Sequence, residues 1–249
     1  MPWSALTPDF EDAPQVLREQ GFCVLPAAGL RAATATKAAD LAALHAFWSD
    51  LPPDPHLRDG GHYRFRRHAS YVIDAPASPA AHATAVPHRA HWQPTTYNAL
   101  HGGLLRWFEP LQPALAASPT FTSLLAGLGR LFAAAAATPP TRWHIEAHPF
   151  RIDTSDGLGR PTPEGAHRDG VDYVAVVLMG RHAIRGGETR VFEADGPRGM
   201  RFTLAEPWSV LLLDDERVIH ESTPIQPDGT AGHRDTLVLT YRAAGFMSP

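Results

Sequence analysis

The chain has 249 residues, with 22 Lys+Arg against 26 Asp+Glu, 44% hydrophobic and 19% charged. That much apolar material excludes a disordered chain, and a net charge of −4 lacks the basic footprint of a nucleic-acid binder. No run reaches the roughly 18 apolar residues of a membrane helix, and the lone Cys23 excludes an intrachain disulfide and a thiolate metal cluster. The opening residues 1–12 are acidic and carry no basic or apolar leader pattern, which with a single cysteine points to a cytoplasmic protein. Residues 12–20 read as a helix, with Asp12 as N-cap and Gly21 as its stop. A strand at 22–25 ends at Pro26, and 30–48 reads as one long helix with Leu41, Leu44, His45 and Trp48 on a single face. Residues 62–68 alternate like a strand, whereas 95–108 and 120–137 read as two further helices, the second closed by Pro139-Pro140.

From Thr141 the texture changes. Strands are expected near 143–152, 171–179, 189–193, 200–204, 209–213, 217–220 and 236–241, separated by Gly, Pro and Asp turns such as Gly186-Gly187 and Asp195-Gly196-Pro197. Many short strands at this spacing predict a β-sandwich or barrel rather than a parallel sheet. The expectation is one domain over 1–249, mainly β with flanking helices: a helix-rich part over 1–140 and a β core with a metal site over 141–249.

Any metal site must come from the 14 histidines and the carboxylates. Two His-x-Asp patterns occur, His167-Arg168-Asp169 and His233-Arg234-Asp235. In a strand, residues two apart share a face, so each pair could present two ligands together. Only the first has a later histidine, His220, to complete two His and one carboxylate. That half-octahedral set leaves three positions open and belongs to non-heme Fe(II) oxygenases, whose iron must hold oxygen and a chelating co-substrate together. Arg234, with Thr236 on the same face, follows His220. A guanidinium and a hydroxyl suit the far carboxylate of 2-oxoglutarate. If Arg234 points inward, His233 and Asp235 point outward and the second pattern is a decoy.

The run from Pro161 through Thr162-Pro163-Glu164-Gly165-Ala166 to His167-Arg168-Asp169-Gly170 resembles the signature of Fe(II)/2-oxoglutarate dioxygenases related to bacterial L-isoleucine hydroxylases. Gly186-Gly187-Glu188-Thr189, His220, Arg234 with Thr236, and His148-Pro149-Phe150-Arg151 fall where that family has them. The resemblance implies a double-stranded β-helix, or jelly-roll, core with flanking helices. By position it implies iron on His167, Asp169 and His220, with 2-oxoglutarate on Arg234 and Thr236. It also implies O2-dependent hydroxylation, or another oxidation, of a small molecule, a free L-amino acid or close derivative, with succinate and CO2 as co-products. A carboxylate at Asp169 fits hydroxylation, since related halogenases carry a small residue there.

Other residues leave alternatives open. Arg151 would clamp a substrate carboxylate if its strand faces the barrel, and is otherwise a surface or turn anchor. Arg66 and Arg67, with Tyr63, would form a lid or an exposed basic strand. Tyr97 and Asn98 would line the pocket or cap a helix. Glu164, between Pro163 and Gly165, reads as a turn former. His45, His62, His88, His91 and His101 have no partner at ligand spacing and read as satisfied or solvated side chains. Two other uses of the same fold remain: a non-oxidative cupin-type isomerase or hydrolase, and a silent small-ligand sensor.

Overall fold

The structure, a computed structural model, describes residues 9–249. The leader reading rests largely on residues 1–8, outside the described residues. In chain order the elements are α1 (Ala13–Gln20), β1 (Phe22–Leu25), α2 (Ala27–Thr34), α3 (Ala38–Leu44), β2 (Arg64–Arg66), β3 (Ala69–Asp74) and β4 (Thr84–Ala85). Then come α4 (Pro113–Ala116), α5 (Pro119–Ala135), β5 (Arg142–Asp153), β6 (Tyr173–His182), β7 (Ile184–Gly186) and β8 (Thr189–Glu193). The last are β9 (Gly199–Phe202), β10 (Val210–Asp214), β11 (Val218–Ser222), β12 (Ile225–Pro227) and β13 (His233–Arg242).

The strands pair antiparallel. The large sheet runs β1-β10-β6-β13-β5-β3-β4, with β2 also on β5, and faces a small sheet β11-β8-β9 and the pair β12-β7. This is a jelly-roll core with flanking helices. One face of the large sheet is apolar: Ile145, Ala147, Ala175, Val177, Leu237, Leu239 and Tyr241 are buried with Phe121, Leu124, Leu125, Leu128 and Phe132 of α5. Such burial stabilises by about 1.5–3 kcal/mol per large side chain. Ser118 caps α5 by accepting from Phe121 N at 3.4 Å, with Pro119 pre-set for the first turn. The opposite face carries polar side chains around a cavity between the sheets.

Two helix expectations are corrected. The stretch 30–48 divides into α2, α3 and a 3-10 turn at His45–Trp48. Ala35 turns left-handed at φ 53, and Thr34 Oγ1 donates back to Leu30 O at 2.8 Å while sharing a hydrogen bond with Thr36. Leu41, Leu44 and Trp48 are buried as expected, but His45 is half exposed and meets Asp235. Residues 95–108 form turns, not a helix. Asn98 O accepts from Gly102 N, the Asn98 side chain accepts from His101 N, Gly103 adopts φ 75, and Arg106 bridges to His91.

The first 140 residues also supply more than helices. β1 to β4 all join the large sheet. Among the described residues, no helix is long and apolar enough to cross a membrane.

Candidate active site

His167 leaves the Pro-rich turn before it and pairs with His220 on β11: His167 N donates to His220 O at 3.1 Å, and His220 N to His167 O at 3.0 Å. Directly opposed residues project to one side, and the two rings lie 4.6 Å apart between centroids. Asp169, two residues on, holds Oδ1 3.9 Å from His167 Nε2 and Oδ2 3.9 Å from His220 Nε2. One donor atom from each lies within 4.8 Å of the other two. The Gly165 carbonyl, 2.9 Å from His167 Nδ1, can only accept, so Nδ1 carries the proton and Nε2 keeps its lone pair toward Asp169.

Burial, with His167 adding to it, holds the His220 imidazole well below the ordinary range. Burial pushes the Asp169 carboxyl up. For His167 burial acts downward, but the Asp169 and Glu164 carboxylates outweigh it and raise the ring. Two imidazoles and a carboxylate converging on a cavity rim form a donor set that fits ferrous iron with open positions.

Asp215 holds this turn in place. Its Oδ1 accepts from Asp169 N at 2.9 Å, and its Oδ2 from Gly170 N at 2.7 Å and Val171 N at 3.1 Å. Burial first, then the Asp169 charge, lift the Asp215 carboxyl to about 7 against those three donors. Gly170 sits at φ 78 with the Tyr97 ring occupying the place a Cβ would take.

The cavity measures about 120 Å³ and is lined by both sheets and by residues 91–106. Along one wall Arg234, Thr236, Val238 and Thr240 project from β13. Burial lowers the Arg234 guanidinium to about 10, with Arg181 adding to the shift. Arg234 Nε and Arg181 Nη1 are both buried without a partner, and no carboxylate pairs with either side chain among the described residues. β6 gains one residue opposite Asp235 and Thr236, an irregularity in register beside Arg181.

The model of a protein family described as 2OG-Fe dioxygenase matches residues 45–240. The chain belongs to the 2OG-Fe dioxygenase family. A crystal structure of a bsmA homolog from Methylobium petroleophilum PM1 is 56% identical over 98% of this chain and 97% of its own, with a TM-score of 0.91. IDO from Bacillus thuringiensis shares the fold at 16% identity and TM-score 0.74, over 98% of this chain and 99% of its own. So does the Fe(II)/(alpha)ketoglutarate-dependent dioxygenase TqaL, at 18% and 0.69, over 96% of this chain and 91% of its own. No curated protein matches. As a 2OG-Fe dioxygenase the chain is a non-heme iron oxygenase that uses Fe(II), 2-oxoglutarate and O2. This decides against the non-oxidative and sensor uses.

Within the dioxygenase the remaining expected residues part company. Arg66 and Asn98 line the cavity. Arg66 is no lid: it lies between the Phe108 and Phe150 rings at 3.8 and 4.3 Å and donates to His148 Nδ1 at 2.5 Å. Tyr63 is buried and donates to Asp59, while Arg67 turns outward to Pro110 O. Arg151 is on the wrong face for a clamp. Glu146, His148, Phe150 and Ile152 alternate toward the polar side of β5, so Arg151 faces the helices and donates twice to Asp235, at 2.8 and 2.7 Å. Tyr97 lies outside the cavity, packed on Gly170. Glu164 does more than turn the chain: it lines the cavity, with Oε1 3.6 Å from His167 Nε2 and Oε2 buried without a partner.

The sequence reading missed a buried network. Glu146 Oε1 lies 3.2 Å from His68 Nε2 and 3.1 Å from Arg89 Nη1, and its Oε2 lies 3.0 Å from His91 Nδ1. His148 completes a set close enough to hold a metal. Two guanidiniums are already aimed into it, Arg89 on Glu146 and Arg66 on His148, and these do a cation's work there. His91 is thus a satisfied side chain, as expected, through a partner distant in the sequence. Burial holds His91 down to about 4 and keeps it neutral.

Proposed function

We propose that His167, Asp169 and His220 hold the iron, and that Arg234, Thr236 and Arg181 receive the far carboxylate of 2-oxoglutarate. The substrate in this reading is a free L-amino acid or close derivative, hydroxylated as by the L-isoleucine hydroxylase-like enzymes. One observation carries it: three donor atoms within 4.8 Å open onto a cavity also lined by Arg234, whose buried Nε lacks a partner and whose strand neighbour Arg181 has an equally unpartnered Nη1. With iron, 2-oxoglutarate and oxygen bound, oxidative decarboxylation of the keto acid to succinate and CO2 supplies the oxidising power to hydroxylate a C–H bond.

The chain's own residues do the placing. The Gly165 carbonyl fixes the His167 tautomer, Asp215 fixes the backbone that carries Asp169, and Gln93 Nε2 donates to Asp169 Oδ1 at 3.2 Å. Apolar Phe150, Ile152, Val176 and Val238 face the same space and limit water around the reacting carbon. Strands from 1–140 complete the sheet of 141–249, which supports one dioxygenase domain over 1–249. A lone, buried Cys23 and a ferrous centre suit a reducing cytoplasm.

The test is anaerobic addition of Fe(II) and 2-oxoglutarate, followed by the visible charge-transfer band of the iron–keto acid chelate. The wild type develops the band, and Asp169→Ala and His220→Ala do not while keeping their circular dichroism. An undiminished band in both variants contradicts the ligand assignment.

A further inference from the structure

Apart from the triad and Arg234, the cavity has a further polar corner, lined by Arg64, Arg66, Arg106, His101 and Glu164. Its three guanidiniums share one dedicated carboxylate, Asp54, whose Oδ2 takes Arg64 Nε at 2.7 Å and lies 4.0 Å from Arg66 Nη1. Glu146 is already taken by His68, His91 and Arg89. Arg106 Nη2 donates only to the neutral Gln93 Oε1, at 2.9 Å.

Unused hydrogen-bonding capacity of both signs remains. Arg64 Nη2, Arg66 Nε and Arg106 Nε are buried donors without an acceptor, and Glu164 Oε2 is a buried acceptor without a donor. Buried charges left this way are costly, so the corner is built for something that brings both an anion and a cation. Glu164 and Arg106 line the same cavity. Burial lowers the Arg106 guanidinium to about 10, Arg64 adds to the shift, and the carboxylates of Asp54 and Glu164 oppose it. His101 feels the same Arg64, Glu164 and Arg106 charges. Yet no ion pair joins Glu164 to any arginine among the described residues.

We propose that this corner reads the zwitterionic end of an α-amino acid, its carboxylate on Arg106 and Arg64 and its ammonium on Glu164. The assignment rests on the amino-acid reading above and makes it specific. A 2-hydroxy acid brings no cation to Glu164, and an amine brings no anion to the arginines. A peptide-bound residue has lost one or both charges. Selectivity for free amino acids therefore comes from Glu164 and Arg106, neither of which needs to touch the side chain that is oxidised.

The test uses protein loaded with Fe(II) and 2-oxoglutarate under nitrogen, so that binding is read without turnover. Thermal shift is measured with each of the twenty proteinogenic L-amino acids, then with the 2-hydroxy acid and the decarboxylated amine matching the strongest binder. The wild type binds the amino acid at least about tenfold more tightly than either counterpart, the loss of one charge-assisted contact. Glu164→Gln keeps its iron but loses the preference over the hydroxy acid, and Glu164→Asp restores part of it. Arg106→Gln weakens amino acid and hydroxy acid alike and leaves the amine unchanged.

An unaltered preference in Glu164→Gln overturns the proposal alone, as does loss of iron from that variant, because Glu164 would then serve the metal. If no amino acid shifts the wild type although iron and 2-oxoglutarate are bound, the proposal and the amino-acid reading fall together and the metal assignment stands.

Discussion

Gln93 ties Arg106 to Asp169. Its Oε1 accepts from Arg106 Nη2 at 2.9 Å, and its Nε2 donates to Asp169 Oδ1 at 3.2 Å. Asn98 Nδ2 braces the same amide at 3.3 Å. The side chain can satisfy both ends only in one orientation, since the oxygen must face the guanidinium and the NH2 the carboxylate.

That orientation predicts the effect of Gln93→Leu. The carboxylate loses its outer hydrogen bond, and partners of this kind are worth about 10- to 100-fold in metal affinity. Equilibrium dialysis against Fe(II) should show weakened binding with unchanged circular dichroism. Equal affinity in wild type and variant would remove Gln93 from the account.

Asp215 predicts a stability effect. Asp215→Ala leaves the N–H groups of Asp169, Gly170 and Val171 without their carboxylate. A carboxyl lifted to about 7 is only partly charged at neutral pH, so each bond contributes nearer the ordinary net value of about 0.5–1.5 kcal/mol and a loss on the order of 2–3 kcal/mol follows. Chemical denaturation of the metal-free protein should show it as a lower midpoint. A midpoint within error of wild type would mean that the turn holds itself.

On β13, Arg234→Ala should raise the KM for 2-oxoglutarate roughly 10- to 100-fold, as removal of a charge-assisted contact predicts, and leave the Fe(II) requirement little changed. Arg181→Ala should raise it less, because Arg181 already donates to Gly186 O at 2.7 Å. A larger effect at Arg181 than at Arg234 would reverse the assignment.

Acid stability has a definite sign. Burial holds His91 and His101 down to about 4, and His68 and His148 are lowered by the same cause. An unfolded imidazole titrates near 6.5, so between about pH 6.5 and about pH 4 the unfolded chain takes up protons that these folded histidines refuse. Their contribution is full above that window and lost as pH falls through it. His167 and the carboxyls of Asp169, Asp214 and Asp215, all raised in the fold, act in the opposite sense, and the four lowered histidines outnumber the one carboxyl, Asp215, that is lifted to about 7. The Tm of the metal-free protein should fall on acidification across the window, less steeply in His101→Asn. A Tm that rises there would refute the neutral, buried assignment.

Much of the candidate metal centre is legible before any coordinates. His167 and Asp169 do come together, though on a turn held by Asp215 and not in the strand that a period of two assumes; on β13 that parity holds, with Arg234 and Thr236 inside while Asp235 pairs with Arg151 outside. That parity, applied one strand earlier, would have placed Arg151 correctly. Glu146, His148, Phe150 and Ile152 recur every second residue, which assigns Arg151 to the other face. Asp215, Gln93 and Arg181 carry no motif: their roles come from loops and from an irregular register that only the fold brings to the site. The Glu146 network likewise joins residues 68, 91, 146 and 148 from distant parts of the chain, so no spacing announces it. Helix breaks at Ala35 and Gly103 depend on local turn geometry that helical composition hid.

The most direct test of the central claim is simultaneous mass spectrometry of succinate and of substrate oxidation, with Fe(II), ascorbate, 2-oxoglutarate, O2 and a pool of free L-amino acids. The account predicts succinate in step with one amino acid gaining a single oxygen atom, and neither product from Asp169→Ala. Succinate formed equally by Asp169→Ala, or an iron-loaded wild type that oxidises no amino acid in the pool, would contradict it.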